Sequence, residues 1–207
     1  MADIQTFQDV SPSHAYYHWI EAIAAVKITA GTLTDPPLYS PDTNCNQGNL
    51  RVFLCRGIAY NDKSGVEKDA TGAPELFVDV YKDHIYFPYV QRAAKLGIDG
   101  GPERDDQAVG ALGVTATVTR AQAACLFIRA LKLQPLTVAE RPTPTFTDVI
   151  TTHPYYGYVE HLSDLGITFG IGGGLYGPDL GLNRAAMSVF VVRAFDIPFV
   201  TIGPPDS

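Results

Sequence analysis

Long apolar runs are missing from this chain. A membrane-spanning helix needs roughly 18 or more apolar residues in succession. The best stretch, Met187 to Phe195, is broken by Ser188 and Arg193, so no transmembrane segment is predicted. Basic residues are in the minority, 15 Lys and Arg against 22 Asp and Glu, giving a net charge of −7 and a pI near 5.1. Nucleic-acid binders carry a basic footprint, and anionic membrane surfaces attract basic segments; neither partner is predicted. Cysteine is scarce as well. Cys45, Cys55 and Cys125 form no Cys-x-x-Cys or Cys/His spacing of a metal site. The opening Met1-Ala-Asp-Ile4 shows no basic and hydrophobic secretory leader. No nucleophile stands beside a base in a recognised arrangement, and the carboxylates do not pair. Neither an enzyme, nor a cofactor, nor a metal site is predicted.

What the chain has is repetition. Phe7-Gln-Asp9-Val10, Phe77-Val-Asp79-Val80 and Phe146-Thr-Asp148-Val149 are one phrase used three times, at spacings of 70 and 69 residues. Aligned from the Phe, the copies share His14, His84 and His153, then the aromatic pairs Tyr16-Tyr17, Tyr86-Phe87 and Tyr155-Tyr156. Trp19, Tyr89 and Tyr158 follow, and the stretch closes on Gly31, Gly101 and Gly170, without a gap over 25 positions. The second halves repeat less faithfully. Tyr39-Ser-Pro41-Asp42 matches Tyr176-Gly-Pro178-Asp179, and Gln47, Arg120 and Arg184 share a position. The copies run over residues 7–57, 77–131 and 146–195. Units of about fifty residues are too small to bury a good core alone, so all three are expected to share one.

Each copy reads as helix, loop, helix. Tyr16, Ile20 and Ile23 in the first copy follow the 3.6-residue period, as do Tyr86-Val90-Ala93 and Tyr155-Val159-Leu162. Ser13 or His14 is predicted to begin the first helix, with Pro154 in the first turn of its counterpart. Gly97 and Gly166 suit the left-handed residue that ends such helices. The second helices are predicted to start from Asn46, Thr119 and Asn183, with Thr119 and Gln122 forming a capping box. The cysteines align with Val, Leu and Ile of the other copies, which predicts buried free thiols. A Cys45–Cys55 bridge is the alternative.

Together, Phe-x-Asp-Val, a His before an aromatic helix, Leu-Gly-Ile, Tyr-x-Pro-Asp and Thr-Arg-Ala-Gln resemble the S-layer homology repeat, here in three tandem copies across most of the chain. The resemblance implies a mainly α domain spanning residues 1–207. Its three helix-loop-helix repeats would pack with pseudo-threefold symmetry around one core, with grooves between neighbours. It also implies an extracellular place on the bacterial cell surface, where such modules hold proteins by binding cell-wall polysaccharide, often an acidic one. The family's ligand-contacting Arg maps onto Arg120 and Arg184; copy one has Gln47 instead. The family's Trp after the His is absent, with Ala15, Ile85 and Pro154 in its place.

Physical chemistry singles out the same arginines. Each is predicted in a first helical turn, where the dipole disfavours a cation. An Arg fork beside free backbone N–H groups makes an anion site. The alternative is structural, each Arg pairing with an Asp of a neighbouring copy. Tyr17, Phe87 and Tyr156 are candidates to stack on sugar rings, with Gly101 and Gly170 in the adjoining turns. Asp9, Asp79 and Asp148 are read as structural, accepting backbone N–H groups in the turn that enters each copy. His14, His84 and His153 are read as capping or packing groups, not metal ligands.

Two functions fit. One is a non-catalytic anchoring module that binds a cell-wall glycan, with Arg120 and Arg184 facing acidic sugar. The other is a structural module that binds protein, a surface-layer partner or copies of itself.

Overall fold

The computed structural model describes residues 5–69, 75–99 and 110–200. Its elements are α1 (Tyr17–Ala25), β1 (Leu33–Thr34), β2 (Pro37–Leu38), α2 (Gln47–Asn61), α3 (Phe87–Lys95), α4 (Arg120–Ala130), α5 (Tyr156–Asp164) and α6 (Arg184–Ala194). The chain is mainly helical, as the patterning predicts. The first loop departs from expectation with an antiparallel hairpin, Leu33 opposite Leu38 and Thr34 opposite Pro37.

The second helices begin where their caps predict. Asn46 Oδ1 accepts the Asn49 N–H at 2.7 Å, Thr119 Oγ1 the Gln122 N–H at 3.2 Å, and Asn183 Oδ1 the Ala186 N–H at 2.8 Å. Gln122 Oε1 accepts the Thr119 N–H at 3.1 Å, completing the capping box.

The first helices start later than predicted. α1 opens at Tyr17 instead of Ser13 or His14, and Pro154 lies ahead of α5 rather than in its first turn. The reason is the histidine. Nδ1 of His14, His84 and His153 accepts the N–H two residues on, at 3.2, 3.1 and 3.1 Å, which holds a non-helical turn before each helix. The far ends behave as predicted, with Gly97 and Gly166 at φ 73° and 68°. Copy one uses Lys27 at φ 61°, an uncommon conformation for a residue with a Cβ.

The main helix pairs join different copies: α1 with α6, α2 with α3, and α4 with α5. One hydrophobic cluster draws on all three copies, including Ile20, Leu54, Phe127, Val159 and Val191. A smaller one, Val80, Phe87, Val90, Leu112 and Val114, belongs to copy two. At the centre lies a closed ring of backbone hydrogen bonds. Cys45 N–H donates to Leu182 O at 2.8 Å, Leu182 N–H to Val118 O at 2.9 Å, and Val118 N–H to Cys45 O at 2.9 Å. The three residues share one aligned position and are fully buried.

Candidate functional site

Site construction begins with Asp9, Asp79 and Asp148. Their carboxylates accept backbone N–H groups, but from a loop 28 to 35 residues on, not from the turn entering the copy. Asp9 takes the Tyr39 and Ser40 amides at 2.8 and 2.7 Å, and Asp148 those of Tyr176 and Gly177, both at 2.8 Å. Asp79 takes three, from Leu112, Gly113 and Val114, at 2.6, 2.8 and 3.0 Å. Burial works to raise the Asp79 pKa, yet the backbone donors outweigh it and hold the carboxyl below its usual value.

Each anchored loop then receives the start of a second helix from the preceding copy. Arg120 N–H donates to Leu180 O and Ala121 N–H to Pro178 O, at 2.9 and 3.0 Å. Arg184 and Ala185 N–H donate to Thr43 O and Pro41 O, both at 2.9 Å, and Gln47 and Gly48 N–H to Ala116 O and Val114 O, at 3.0 and 2.9 Å. With the next N–H taken by the cap, these helix starts have no free amides for an anion. That corrects one half of the predicted site.

The guanidinium half survives in a different form. Arg120 and Arg184 are buried, not exposed. Arg120 Nε donates to Tyr176 O at 2.8 Å, and the Tyr176 hydroxyl donates back to Arg120 O at 2.8 Å. Arg184 and Tyr39 make the same reciprocal pair, at 2.7 and 2.8 Å. Each guanidinium also lies over two rings, Tyr176 and Phe190 for Arg120 (4.8 and 5.6 Å to the centroids), Tyr39 and Phe53 for Arg184 (4.5 and 5.5 Å). Desolvation pushes both tyrosine pKa values well above the usual phenol range, against the opposing pull of the nearby Arg, so both remain donors. Among the described residues neither arginine forms an ion pair with an Asp. The Nη2 of each is buried and without a hydrogen-bond partner. An unmatched buried polar group costs about 1–3 kcal/mol, more when charged.

Arg120 lines a cleft of about 360 Å³ with Tyr16, Thr168, Phe169, Gly170 and Arg193, a place where all three copies meet. Arg193 lies 4.9 Å from the Trp19 ring centroid and 4.7 Å from that of Phe169, and its Nη1 donates to Ile167 O at 3.2 Å. Gly170 is at φ 77°, and a Cβ there would stand 2.3 Å from Leu175 O. Gly101 lies outside the described residues.

Tyr17, Phe87 and Tyr156 are buried in the core, and so are not stacking platforms; in the third pair Tyr155 is buried as well. Tyr16 and Tyr86 are the partly exposed members. Ring period alone does not say which neighbour points outward. Gln47 lies beside another amide, its Nε2 donating to Gln122 Oε1 at 3.0 Å. His14, His84 and His153 cap and pack against Tyr16, Tyr86 and Tyr155.

A Thr–Glu pairing also recurs, in copies one and three. Glu21 accepts the Thr6 N–H at 2.9 Å, and Glu160 accepts the Thr145 N–H at 2.9 Å and its hydroxyl at 2.6 Å. The signal was available: Thr and Glu recur 15 residues apart in copies one and three, and copy two loses both, to Leu76 and Gln91. The cysteines are free and buried, without the Cys45–Cys55 bridge. Among the described residues no group of His, Cys, Asp or Glu could hold a metal ion.

Comparison with protein families places an S-layer homology domain match on residues 76–124 and 145–188. No curated protein matches the chain.

Proposed function

Taking as premise the S-layer homology domain that this chain carries, we propose that it is a non-catalytic module anchoring a protein to the bacterial envelope through an acidic wall polysaccharide. The domain itself gives a cell-surface role. Among the described residues no helix is long and apolar enough to cross a membrane. We read residues 7–57, 77–131 and 146–195 as three repeats about a pseudo-threefold axis. The closed ring of Cys45, Val118 and Leu182 supports that arrangement.

One observation carries the glycan reading: the unpartnered, buried Nη2 of Arg120 and of Arg184. Each guanidinium is fixed through Nε and two aromatic faces, which leaves an unmatched donor edge at the buried Nη2, on a residue that in the case of Arg120 lines the cleft. A carboxylate satisfies that edge with little ordering cost. Such a contact contributes roughly 1.5–3 kcal/mol, or about tenfold or more in affinity.

The test is co-sedimentation with purified cell-wall sacculi, with and without their attached polysaccharide. Arg120→Lys with Arg184→Lys keeps the charge and removes the fork, and should weaken binding at least tenfold; Gln47→Ala should leave it unchanged. Binding should also fall as salt rises. A folded double variant that sediments like the parent would overturn the glycan reading. It would favour a protein-binding module, for which the exposed Phe169, Ile171, Leu175 and Leu180 offer an apolar surface.

A further inference from the structure

We infer that the groove of the second copy is closed by the chain's own carboxylate, Asp99, so that the module presents two ligand grooves and not three. The inference rests on the glycan reading above and names which sites take part in it.

The junction of copies one and two departs from its counterparts at three positions that converge in space. Copy two follows Ile98 with Asp99, where the other copies follow Ile28 with Thr29 and Ile167 with Thr168. Thr168 lines the Arg120 cleft, so this aligned position belongs to a groove wall. The helix that docks on copy two starts with Gln47 where the others have Arg120 and Arg184, and one turn later it carries Arg51 where they have Ala124 and Ser188. The cation has moved by one turn, and an anion has appeared opposite it.

The geometry is that of a filled site. Arg51 Nε donates to Asp99 Oδ1 at 2.7 Å, and its Nη2 pairs with the same oxygen. Nη1 donates to Gln47 O at 2.8 Å and to Gln47 Oε1 at 3.0 Å. All three guanidinium nitrogens therefore have partners within the chain, and the unmatched atom of this pair is the second carboxylate oxygen, Asp99 Oδ2, whereas Arg120 and Arg184 each keep an Nη2 without a partner. Both side chains of the pair are almost wholly buried, 3% and 8% exposed. Gln47 contributes twice: it supplies no competing cation, and its side-chain oxygen holds Arg51 in place.

A tethered carboxylate competes with any free one as an intramolecular ligand. Removing it would leave a buried guanidinium unpaired, which is strongly unfavourable. An external acidic sugar reaching this groove would have to do that first. The grooves of Arg120 and Arg184 impose no such displacement.

The test uses the full chain, ¹⁵N-labelled, titrated with methyl β-D-glucuronide while the arginine Nε–H signals are followed. In the parent, the Arg120 and Arg184 signals should shift and the Arg51 signal should not. In Asp99→Thr, which installs the residue of the other copies, Arg51 should shift as well. Should the Thr variant fail to fold, Asp99→Asn keeps the shape and removes the charge, and the same Arg51 shift is expected. An Arg51 shift in the parent overturns the inference while leaving the glycan reading intact. So does a folded Asp99 variant whose Arg51 stays silent while Arg120 and Arg184 respond. If no arginine responds in any protein, the glycan reading fails and the inference falls with it.

Discussion

Asp148→Ala tests the link on which the Arg120 groove depends. The carboxylate accepts the Tyr176 and Gly177 amides, each at 2.8 Å, and the residues that donate them are buried. Asp148 is itself only half-buried, so water can replace it in part; alanine leaves two poorly matched N–H groups, each costing up to about 1–3 kcal/mol. Together the loss is up to about 3–5 kcal/mol, a fall in Tm on the order of 10 °C for a chain of this size. Asp148→Asn retains one acceptor oxygen and should lose about half as much. The assay is urea unfolding followed by circular dichroism, with a heat scan alongside. The effect should extend to the groove, since Tyr176 O is what holds Arg120 Nε. A folded alanine variant within about 1 kcal/mol of the parent would refute the anchoring argument, because that is less than even one orphaned pair of amides should cost.

Two further outcomes follow from the titrating groups. Burial pushes the Cys45 and Cys55 thiols up to about 12, so neither forms thiolate near neutral pH; a bulky thiol reagent should label native protein slowly and urea-unfolded protein at once, and fast native labelling would contradict this. The Asp79 carboxyl has a folded pKa below its ordinary value, so its stabilisation is complete above the ordinary carboxylate range, near 3.9, and is lost as pH falls through the depressed value. The Tm difference between the parent and Asp79→Asn should therefore shrink on acidification, and a gap that widens would reverse the sign.

Local chemistry was legible in the sequence. Asn46, Thr119 and Asn183 start helices because their side chains reach the N–H three residues on, a contact that spacing alone describes. Gly97 and Gly166 end helices for an equally local reason, the absence of a Cβ at positive φ. Contacts with no fixed spacing were not legible. Asp9, Asp79 and Asp148 reach loops set by the fold, and Arg120 and Arg184 are sheltered by tyrosines of the next copy. The burial of Tyr17, Phe87 and Tyr156 was not legible either, since ring period does not say which neighbour points outward; the helix starts are displaced by three residues or so, about the limit of boundary prediction. The Arg51–Asp99 pair was hidden because the two changes fall 48 residues apart in different copies.

The cross-copy wiring also explains why no copy can build a groove by itself. The Arg120 cleft takes its guanidinium from copy two, its Phe169 wall from copy three and Tyr16 from copy one. The helix pairs and loop contacts follow the same order, each copy donating its second helix start to the next and copy three returning to copy one. Closing this ring is therefore the same event as forming the binding edge. On the proposed reading, an acidic polymer that engages Nη2 of Arg120 or Arg184 would bind only the closed form and would stabilise the fold by mass action, about 2.7 kcal/mol at a hundredfold excess over Kd. A surface anchor of the proposed kind would gain from that coupling: the module would be most resistant to unfolding where it is attached, with its two buried, incompletely paired cations matched at the wall.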